Sequence, residues 1–453
     1  MDNSLYSDFN PVTAKAFKQK IQYDLAGADY NETLLWSSPE GIHIKPFYHR
    51  EDLNEISIPG HPTRWSIAEE IYIQKPETAA LKVLELLSKG VEAFQFKADQ
   101  KFNIDQLLET LPQQNLTLYF NFSFLDVLFF TTLSEKTKDK EFTCFLNTDI
   151  IGNLARSGNW FSDLREDRYQ LKELILNAKN DNVVGIDSSV YHNAGATIIQ
   201  ELAYLLAQTN EYFNHYGDLL KKQLFTLTVA IGSNYFFEIA KIRALRLLYA
   251  TLASEYGLPE TCHIIAKPAL RNKVLYDYNT NMLRTTTECM SAVLGGADSI
   301  CNLAYDAIYH KTNDFGQRIA RNQLLLLKHE SYFDLVSNPA DGTYYIENLT
   351  QQFAEQALSL FKDIEAGGGF VTQLIEGKIQ KKIKTSAAKE QEAFDKGEKL
   401  LVGTNTYQNP DDRMKHDLDL YPFLKMNPRK TLIEPVITKR LAEEVEQKRL
   451  KDE

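Results

Sequence analysis

Four side chains suited to chemistry stand at or near the ends of predicted strands: His192, His263, Lys267 and Cys301. A histidine can act as a general acid or base near neutral pH, and a lysine or a cysteine can act as a nucleophile. His192, in the segment SSVYHNAGA, is the best single candidate, because barrel enzymes keep their catalytic groups where strands end. A structural role is an equally good interpretation of His192, and it is the favoured interpretation of the other three residues.

The segment 283–308, LRTTTECMSAVLGGADSICNLAYDAI, has the pattern of an active-site edge. An amphipathic helix runs into Gly295 and Gly296, and a short apolar run then brings Cys301 and Asn302 to the end of a strand. This pattern is equally typical of a working site and of a scaffold from which the chemistry has been lost.

Motifs with a defined chemistry do not occur in the sequence. There is no GxxxxGK[ST], no GxGxxG after a strand, no HExxH and no GxSxG. The cysteines Cys144, Cys262, Cys289 and Cys301 lack the spacing of metal ligands and are typical of reduced, buried thiols. The glycine triplet at 367–369 favours a tight turn at positive φ over a phosphate cradle.

Short apolar runs alternate with amphipathic helices from about residue 66 onward. The β-rich runs are AFQFKA, LTLYFNF, FTCFLN, NVVGIDSS, TLTVAIGS, CHIIAKP and DSICNL, with GGGFVTQL at 367–374 as the candidate eighth. About eight such βαβ units predict an α/β protein with a closed (β/α)8 TIM barrel, and an open doubly wound sheet is the alternative. We assign residues 1–65 to an amino-terminal helical arm and connecting segment, 66–408 to the barrel, and 409–453 to a short charged carboxy-terminal tail.

Composition argues against several classes of partner. The chain has 453 residues, and its formal net charge of −11 argues against nucleic acid, whose phosphates need a basic surface. No uninterrupted apolar run is long enough to span a membrane, and the first residues lack a secretory signal. We therefore expect a cytoplasmic protein that binds neither nucleic acid nor a membrane.

Several segments taken together resemble the methylmalonyl-CoA mutase family. They are DLAGADYNETLLW, EGIHIKPFY, YFFEIAKIRALRLL, NTNMLRTTTECMSAVLGGADSI, RIARNQLLLL, NPADGTYYIENLT, IEGKIQKKI and FDKGEKLLVGTN. The resemblance implies a (β/α)8 barrel that is threaded by an acyl-CoA and capped by a separate cobalamin-binding domain. It also implies adenosylcobalamin radical chemistry, which interconverts methylmalonyl-CoA and succinyl-CoA.

The sequence departs from active members of that family wherever the chemistry is concentrated. A tyrosine-bearing segment like RGPYPTMY and the substrate arginine are missing. VYHNAGA is two residues shorter than the pattern GYHxxEAGA, so His192 matches the catalytic histidine only if a gap follows it directly. Ile265 and Lys267 replace a histidine and a glutamine that touch substrate and adenosyl group. Cys301 replaces a histidine, and Ala307 replaces the glutamate expected to hold the adenosyl ribose.

These departures predict a chain that is inactive by itself, because each lost contact is typically worth orders of magnitude in rate. The segment around His416 lacks the DxHxxG signature of the cobalt ligand, so we expect no cobalamin-binding domain in 409–453. The resemblance therefore implies a small, non-catalytic subunit in a heterodimer whose large catalytic subunit binds adenosylcobalamin. No catalytic, cofactor-binding or metal residue is assigned to this chain, and His192 is the vestigial candidate.

Two alternatives stay open. One is a diverged acyl-CoA mutase that borrows a cobalamin domain from another chain and uses His192 and Lys267 in new roles. The other is a module that delivers or protects cobalamin without turning anything over. For the subunit interpretation, the amino-terminal arm and the helix containing RIARN are the candidate interface.

Aromatic residues in the predicted strands give an expectation for the barrel interior. They are Phe94, Phe96, Tyr119, Phe120, Phe122, Phe142 and Phe145. Because side chains alternate along a strand, at least one aromatic from LTLYFNF and one from FTCFLN must point inward. We therefore predict that the barrel centre is packed shut against a pantetheine chain.

Overall fold

The computed structural model describes residues 8–54, 56–138, 140, 142–178, 182–425 and 428–453. The amino-terminal arm consists of α1 (Ala14–Asp24), α2 (Tyr30–Leu34) and an antiparallel ribbon of β1 (Trp36–Ser37) and β2 (His43–Ile44). Both helices begin at a side chain that accepts a backbone N–H, Thr13 for α1 and Asp29 for α2.

Eight parallel strands close into a barrel in chain order, and the last strand pairs with the first. They are β3 (Ser66–Tyr72), β4 (Ala93–Ala98), β5 (Thr117–Phe122), β6 (Thr143–Thr148), β7 (Asn182–Asp187), β8 (Thr226–Ile231), β9 (His263–Pro268) and β10 (Ser299–Cys301). The predicted (β/α)8 barrel is confirmed.

The candidate eighth strand at 367–374 is wrong. The glycines at 367–369 form the turn after a helix, and residues Phe370–Ile375 are helical. The missing strand is β3, in which Ile67, Glu69 and Ile71 face the helices, while Ala68 and Glu70 face the interior. The adjacent glutamates in SIAEEIY hide this alternation, because they make the run look polar throughout.

Helices surround the barrel and cover its outer face. Between the strands lie α3 (Pro76–Leu87), α4 (Ile104–Leu108), α5 (Val127–Lys138), α6 (Ile150–Ser157), α7 (Leu164–Asn177), α8 (Ser189–Asn193), α9 (Ile198–Tyr216), α10 (Tyr235–Glu255) and α11 (Thr280–Gly295). After the last strand come α12 (Asp314–Leu325), α13 (Tyr344–Ala366), α14 (Phe370–Ile375) and α15 (Lys378–Asp395). No helix in the described ranges is both long enough and apolar enough to cross a membrane.

The aromatic residues of the strands divide between the two faces of the barrel wall. Phe94, Phe96 and Phe120 pack outward against the helices, and the rings of Phe96 and Phe120 stack 5.5 Å apart. Tyr119 and Phe145 point inward, where they belong to a separate buried cluster. The expectation of one inward aromatic from each of these two strands is confirmed.

The arm lies along the outside of α10 and α13. The ring of Trp36 packs 6.1 Å from that of Phe237, and the backbone N–H of His43 donates to Gln352. In contrast, α1 has no buried residue, and its contact with the rest of the arm runs through Phe17 and Phe47. The arm is thus anchored at β1 and β2, while its first helix lies at the surface.

The charged tail docks on the barrel at the ends of the strands. The N–H of Val436 donates to the carbonyl of Ala155 beyond β6, and the N–H of Leu441 donates to that of Arg271 beyond β9. The last helix, α16 (Glu443–Asp452), begins directly after this contact. Glu443 and Glu446, at the start of this helix, are buried, so the charged tail is not freely solvated.

Candidate functional site

Each barrel strand lines the interior with one of its two faces. Because side chains alternate between these faces, every second residue of a strand points inward. The inward positions of the best-defined strands are Glu70 in β3; Gln95 and Lys97 in β4; Tyr119 and Asn121 in β5; Thr226, Thr228 and Ala230 in β8; and His263, Ile265 and Lys267 in β9. Polar and small side chains thus outnumber the bulky aliphatic ones that usually fill a barrel. The interior has the composition of a site rather than of an ordinary core.

An aromatic layer lies at the end of the interior where the strands begin. The ring of Phe145 stacks 4.6 Å from His263 and 5.2 Å from Tyr119. The hydroxyl of Tyr119 lies 2.7 Å from Nε2 of His263 and 2.6 Å from Oγ of Ser299, so it crosses the barrel to β9 and β10. Burial lowers the pKa of His263, which favours the neutral ring in this layer.

Gln95 lies beside this aromatic layer with its amide group unpartnered. Its position in β4 is in register with Tyr119 in β5 and with Glu70 in β3. The side chain is fully buried, and within the described residues neither its oxygen nor its nitrogen has a hydrogen-bond partner. A buried amide normally finds partners, so the space beside Gln95 suits water or a small polar group.

Three charged side chains stand on one side of the mouth, where the strands end. Glu70 lies 2.7 Å from Nζ of Lys97 and 3.6 Å from Nζ of Lys267. Burial acts to raise the pKa of Glu70, but Lys267 and Lys97 outweigh it and hold that pKa below its ordinary value. Ion pairs therefore link β3, β4 and β9 along one side of the mouth.

Cys301 and Lys267 lie close together at this mouth. Burial raises the pKa of the Cys301 thiol to about 11, although the nearby ammonium of Lys267 acts against that rise. The thiol is therefore protonated near neutral pH and is a poor nucleophile. The structure thus brings together two of the candidates from the sequence without activating either.

His192 lies apart from these residues, in a buried cluster between the barrel and its helices. Its Nδ1 is 3.3 Å from Glu201 on α9, which in turn pairs with Lys241 on α10 at 3.1 Å. Burial acts to raise the pKa of Glu201, but Lys241 and then His192 lower it to about 2. Among the described contacts, His192 shares no partner with Lys267.

The arm reaches the same cluster through Glu40. One carboxylate oxygen of Glu40 accepts the N–H of Ile198, the first residue of α9, at 2.7 Å. Burial raises the pKa of Glu40 to about 7, while the bond from Ile198 and the charge of His192 act in the opposite direction. The arm thus reaches the surroundings of His192 through Glu40.

Other candidates from the sequence have structural surroundings. The side-chain amide of Asn302 donates to the carbonyl of Ala320 and to Gln323, both at 2.8 Å. Gly368 and Gly369 have φ of +100° and +86°, which confirms the prediction of a tight turn. Within the described ranges, no group of three or more His, Cys, Asp or Glu side chains could hold a metal ion.

Comparison with known sequences places this barrel in a family. The profile of the methylmalonyl-CoA mutase family matches residues 99–450. The chain belongs to this family. It is 34% identical over 439 residues to the methylmalonyl-CoA mutase small subunit of Porphyromonas gingivalis, covering 89% of this chain and 71% of that one. A small subunit from Streptomyces virginiae is 33% identical over 231 residues, covering 49% of this chain and 37% of that protein.

Other, longer relatives are named methylmalonyl-CoA mutase and are not described as subunits. The methylmalonyl-CoA mutase of Rhizobium meliloti is 26% identical over 441 residues, which cover 83% of this chain and 62% of that protein. The chain therefore spans about three fifths to seven tenths of the full-length relatives that it matches across most of its own length.

The residues that the sequence analysis expects to depart from active family members occupy two levels of the barrel. Lys267 and Cys301 face the interior near the ends of β9 and β10, whereas Ile265 lies deeper, in the buried cluster that contains Tyr119 and Phe145. Ala307 follows β10 in the next turn. His416, in the tail, is exposed. The barrel of the family is present here, and ion-paired side chains stand at its mouth.

Members of this family use adenosylcobalamin, but the mouth does not fit that group. Glu70, Lys97 and Lys267 present ion-paired charges where the strands end, and protonated lysines cannot ligate a metal. A large ring placed here would have to break these pairs or leave their charges without water. We therefore derive no chemical step through the cofactor in this chain.

Sequence reasoning missed Glu70, Gln95 and Lys97. A usable signal existed for two of them, since AFQFKA alternates Phe94 and Phe96 with Gln95 and Lys97. That alternation places the polar residues on one face of a strand and the aromatics on the other. Glu70 could not be found in this way, because its strand was not recognised.

Proposed function

We propose that this chain is the small, non-catalytic subunit of a cytoplasmic heterodimeric methylmalonyl-CoA mutase. Its role is to stabilise a larger homologous subunit, which binds adenosylcobalamin and interconverts methylmalonyl-CoA and succinyl-CoA. The observation that carries this proposal is the mouth, where Glu70, Lys97 and Lys267 are ion-paired above an aromatic layer. The names of the two small-subunit relatives support it.

The geometry of the mouth supports loss of catalysis rather than a change of substrate. Burial acts to lower the pKa of Lys267, but Glu70 and the other nearby acidic groups outweigh it and hold that pKa above its ordinary value. Its amine is therefore protonated and unsuited to act as a base or a nucleophile. His192 lies 3.3 Å from Glu201 in a different cluster, and its Nδ1 has no hydrogen-bond partner among the described residues. A mutase that used His192 and Lys267 together would need both at one reacting atom, so the second candidate from the sequence gains no support.

The arm supports a structural role in a pair of subunits. Phe9 and Trp36 are exposed, and α1 has no buried residue. Such a segment adds little to the stability of its own barrel and would gain by covering apolar surface on a neighbour. A subunit can keep this contact after losing its catalytic groups, because the arm and the mouth are different surfaces.

Co-expression with a large mutase homologue tests the proposal. We expect the two chains to co-purify and to interconvert methylmalonyl-CoA and succinyl-CoA with added adenosylcobalamin, while this chain alone gives no turnover. Deletion of residues 1–28 should weaken co-purification and leave the circular dichroism of the barrel unchanged, whereas Leu128→Asp, at an exposed position after β5, should affect neither. Turnover by this chain alone, or failure to associate with the large chain, would refute the proposal.

A further inference from the structure

The first part of the tail packs on the turns that follow β9 and β10. These residues, 414–423, are called the strap here. Met414 and Phe423 in the strap belong to one buried apolar cluster with Tyr276, which follows β9, and with Tyr309, which follows β10. Tyr276 and Tyr309 are almost completely buried, although both come shortly after the ends of strands. The strap therefore covers apolar side chains beside the barrel mouth.

His310 connects this strap to the turn after β10. Its Nδ1 lies 3.2 Å from Oδ2 of Asp306 in the same turn, and its Nε2 lies 3.2 Å from Oδ1 of Asp417 in the strap. The backbone supports this contact, because the carbonyl of Tyr309 accepts the N–H of Asp419 at 2.9 Å. The imidazole ring thus bridges two carboxylates that belong to different segments of the chain.

This bridge suits only one charge state of the ring. A neutral imidazole donates from one nitrogen and carries a lone pair on the other, and that lone pair would face a carboxylate oxygen. The protonated ring donates from both nitrogens and forms two charge-assisted hydrogen bonds. Burial acts to lower the pKa of His310, but Asp306 and Asp417 outweigh it and hold that pKa above its ordinary value. The contact between the turn and the strap therefore depends on a proton.

The two carboxylates do not depend on the ring equally. Asp306 is buried and also accepts the side-chain amide of Asn313 at 2.7 Å. Asp417 is exposed, and within the described residues its carboxylate has no hydrogen-bond partner other than His310. The other ionisable side chains close to this bridge in the chain are those of Tyr305, Tyr309, Lys311, Lys415, His416 and Asp419. In the part of the chain that the structure describes, none of them is hydrogen-bonded to the ring. The partner that relies on the ring alone is thus the one on the strap.

We propose that His310 is a proton-dependent clamp, whose imidazolium holds the strap against the turn after β10 and whose loss of a proton loosens the strap. The clamped strap binds the proton more tightly than the free strap does, because the pKa of His310 is raised above its ordinary value of 6.5. The stabilisation is therefore complete below about pH 6.5 and is lost as the pH rises through the higher pKa of the folded protein. The apolar cluster keeps the loosened strap on the barrel, so the change is local. This clamp acts within one chain and does not depend on the proposed role in a heterodimer.

Hydrogen exchange of the segment 415–420 in the full chain tests the clamp. We expect His310→Gln to speed exchange about two- to fivefold relative to wild type at about pH 5.5, because glutamine has no charge with which to hold Asp417. At about pH 9 the two proteins should exchange alike, since the wild-type ring is then neutral as well. Asp417→Asn, at an exposed position, should give the same acceleration at the lower pH and reports on the clamp even if His310→Gln perturbs the turn. His416→Gln, which replaces the neighbouring exposed histidine, is the control and should change neither rate.

Nuclear magnetic resonance of the chain, isotope-labelled at histidine Cε1, measures the proton directly. The signal that disappears in His310→Gln belongs to His310, and we expect its titration midpoint to lie above the ordinary value of 6.5 and to move to lower pH in Asp417→Asn. Three results would overturn the proposal: a midpoint at or below that value, a ratio of variant to wild-type exchange rates that is the same at both pH values, or an equal acceleration by His416→Gln. Because no large subunit is present in these measurements, none of the results bears on the heterodimer.

Discussion

Replacing Glu40 by glutamine tests how the arm is held against the barrel. The carboxylate of Glu40 accepts the N–H of Ile198 at 2.7 Å, in a position where burial raises its pKa to about 7. The charged groups that face it are His192, Glu238 and Lys399. Glutamine has nearly the same shape and keeps an acceptor for Ile198, but it has no proton to lose.

The sign of the effect follows from the pKa of Glu40. Its value in the folded protein, about 7, lies above its ordinary value of 4.5, so the docked arm binds the proton more tightly than the free arm does. The stabilisation is complete below about pH 4.5 and is lost as the pH rises through about 7. This difference corresponds to at most about 3 kcal/mol, and we expect about 1–2 kcal/mol because solvent reaches part of the site.

Hydrogen exchange of the segment 36–48 measures this effect. We expect Glu40→Gln to slow exchange relative to wild type at pH 8.5, by about five- to thirtyfold, and to have little effect at pH 5. Comparing the two proteins at the same pH removes the intrinsic dependence of exchange on pH. Glu51→Gln, a substitution of an exposed carboxylate in the arm, is the control. If the ratio of the exchange rate of the variant to that of wild type is the same at both pH values, Glu40 does not hold the arm in this way.

Three further predictions concern the barrel. Phe145→Ala should lower the free energy of unfolding in urea by about 3–5 kcal/mol, because it empties the aromatic layer, while Leu128→Ala should change it by less than about 0.5 kcal/mol. Arg246→Met should cost about 3–5 kcal/mol in the same assay, because it leaves the carboxylate of Asp298, now 2.6 Å from the guanidinium, without its partner; a smaller loss would show that solvent solvates Asp298. Calorimetric titration of the isolated chain with coenzyme A should show no binding, and a saturable signal would contradict a closed interior.

The barrel could be predicted from the sequence because apolar residues recur at different intervals in its strands and in its helices. Runs such as TLTVAIGS are too short and too apolar for exposed helices, and long amphipathic segments separate them. β3 was missed because Glu69 and Glu70 stand side by side in it for different reasons. Glu69 pairs with Arg321 on α12 at 2.9 Å, and Glu70 faces the interior. Only the three-dimensional structure shows that both glutamates have partners.

The site was less predictable, because its main residues come from strands far apart in the chain. Cys301 and Lys267 were identified from their positions near strand ends, and the structure places them together. Lys97 and Glu70 complete the mouth, but nothing in the order of the sequence links these positions to β9. His192 had the best sequence context, yet its ring belongs to the helical layer, because Glu201 and Lys241 lie on helices whose inward faces cannot be read from one sequence.

The charges at the mouth explain why the proposed loss of activity would not be reversed by a single substitution. A lysine at 267 without Glu70 would be a partly buried cation, which costs several kcal/mol unless it is paired. Glu70 in turn is shared with Lys97, so removing Lys267 leaves one ion pair across the mouth. Lys267→Gln would place at that position the side chain that the family resemblance implies, but the ion pair of Glu70 with Lys97 would remain at the mouth. We therefore expect this variant, assayed alone with adenosylcobalamin, to stay inactive, and measurable turnover would show that the mouth is not what prevents catalysis.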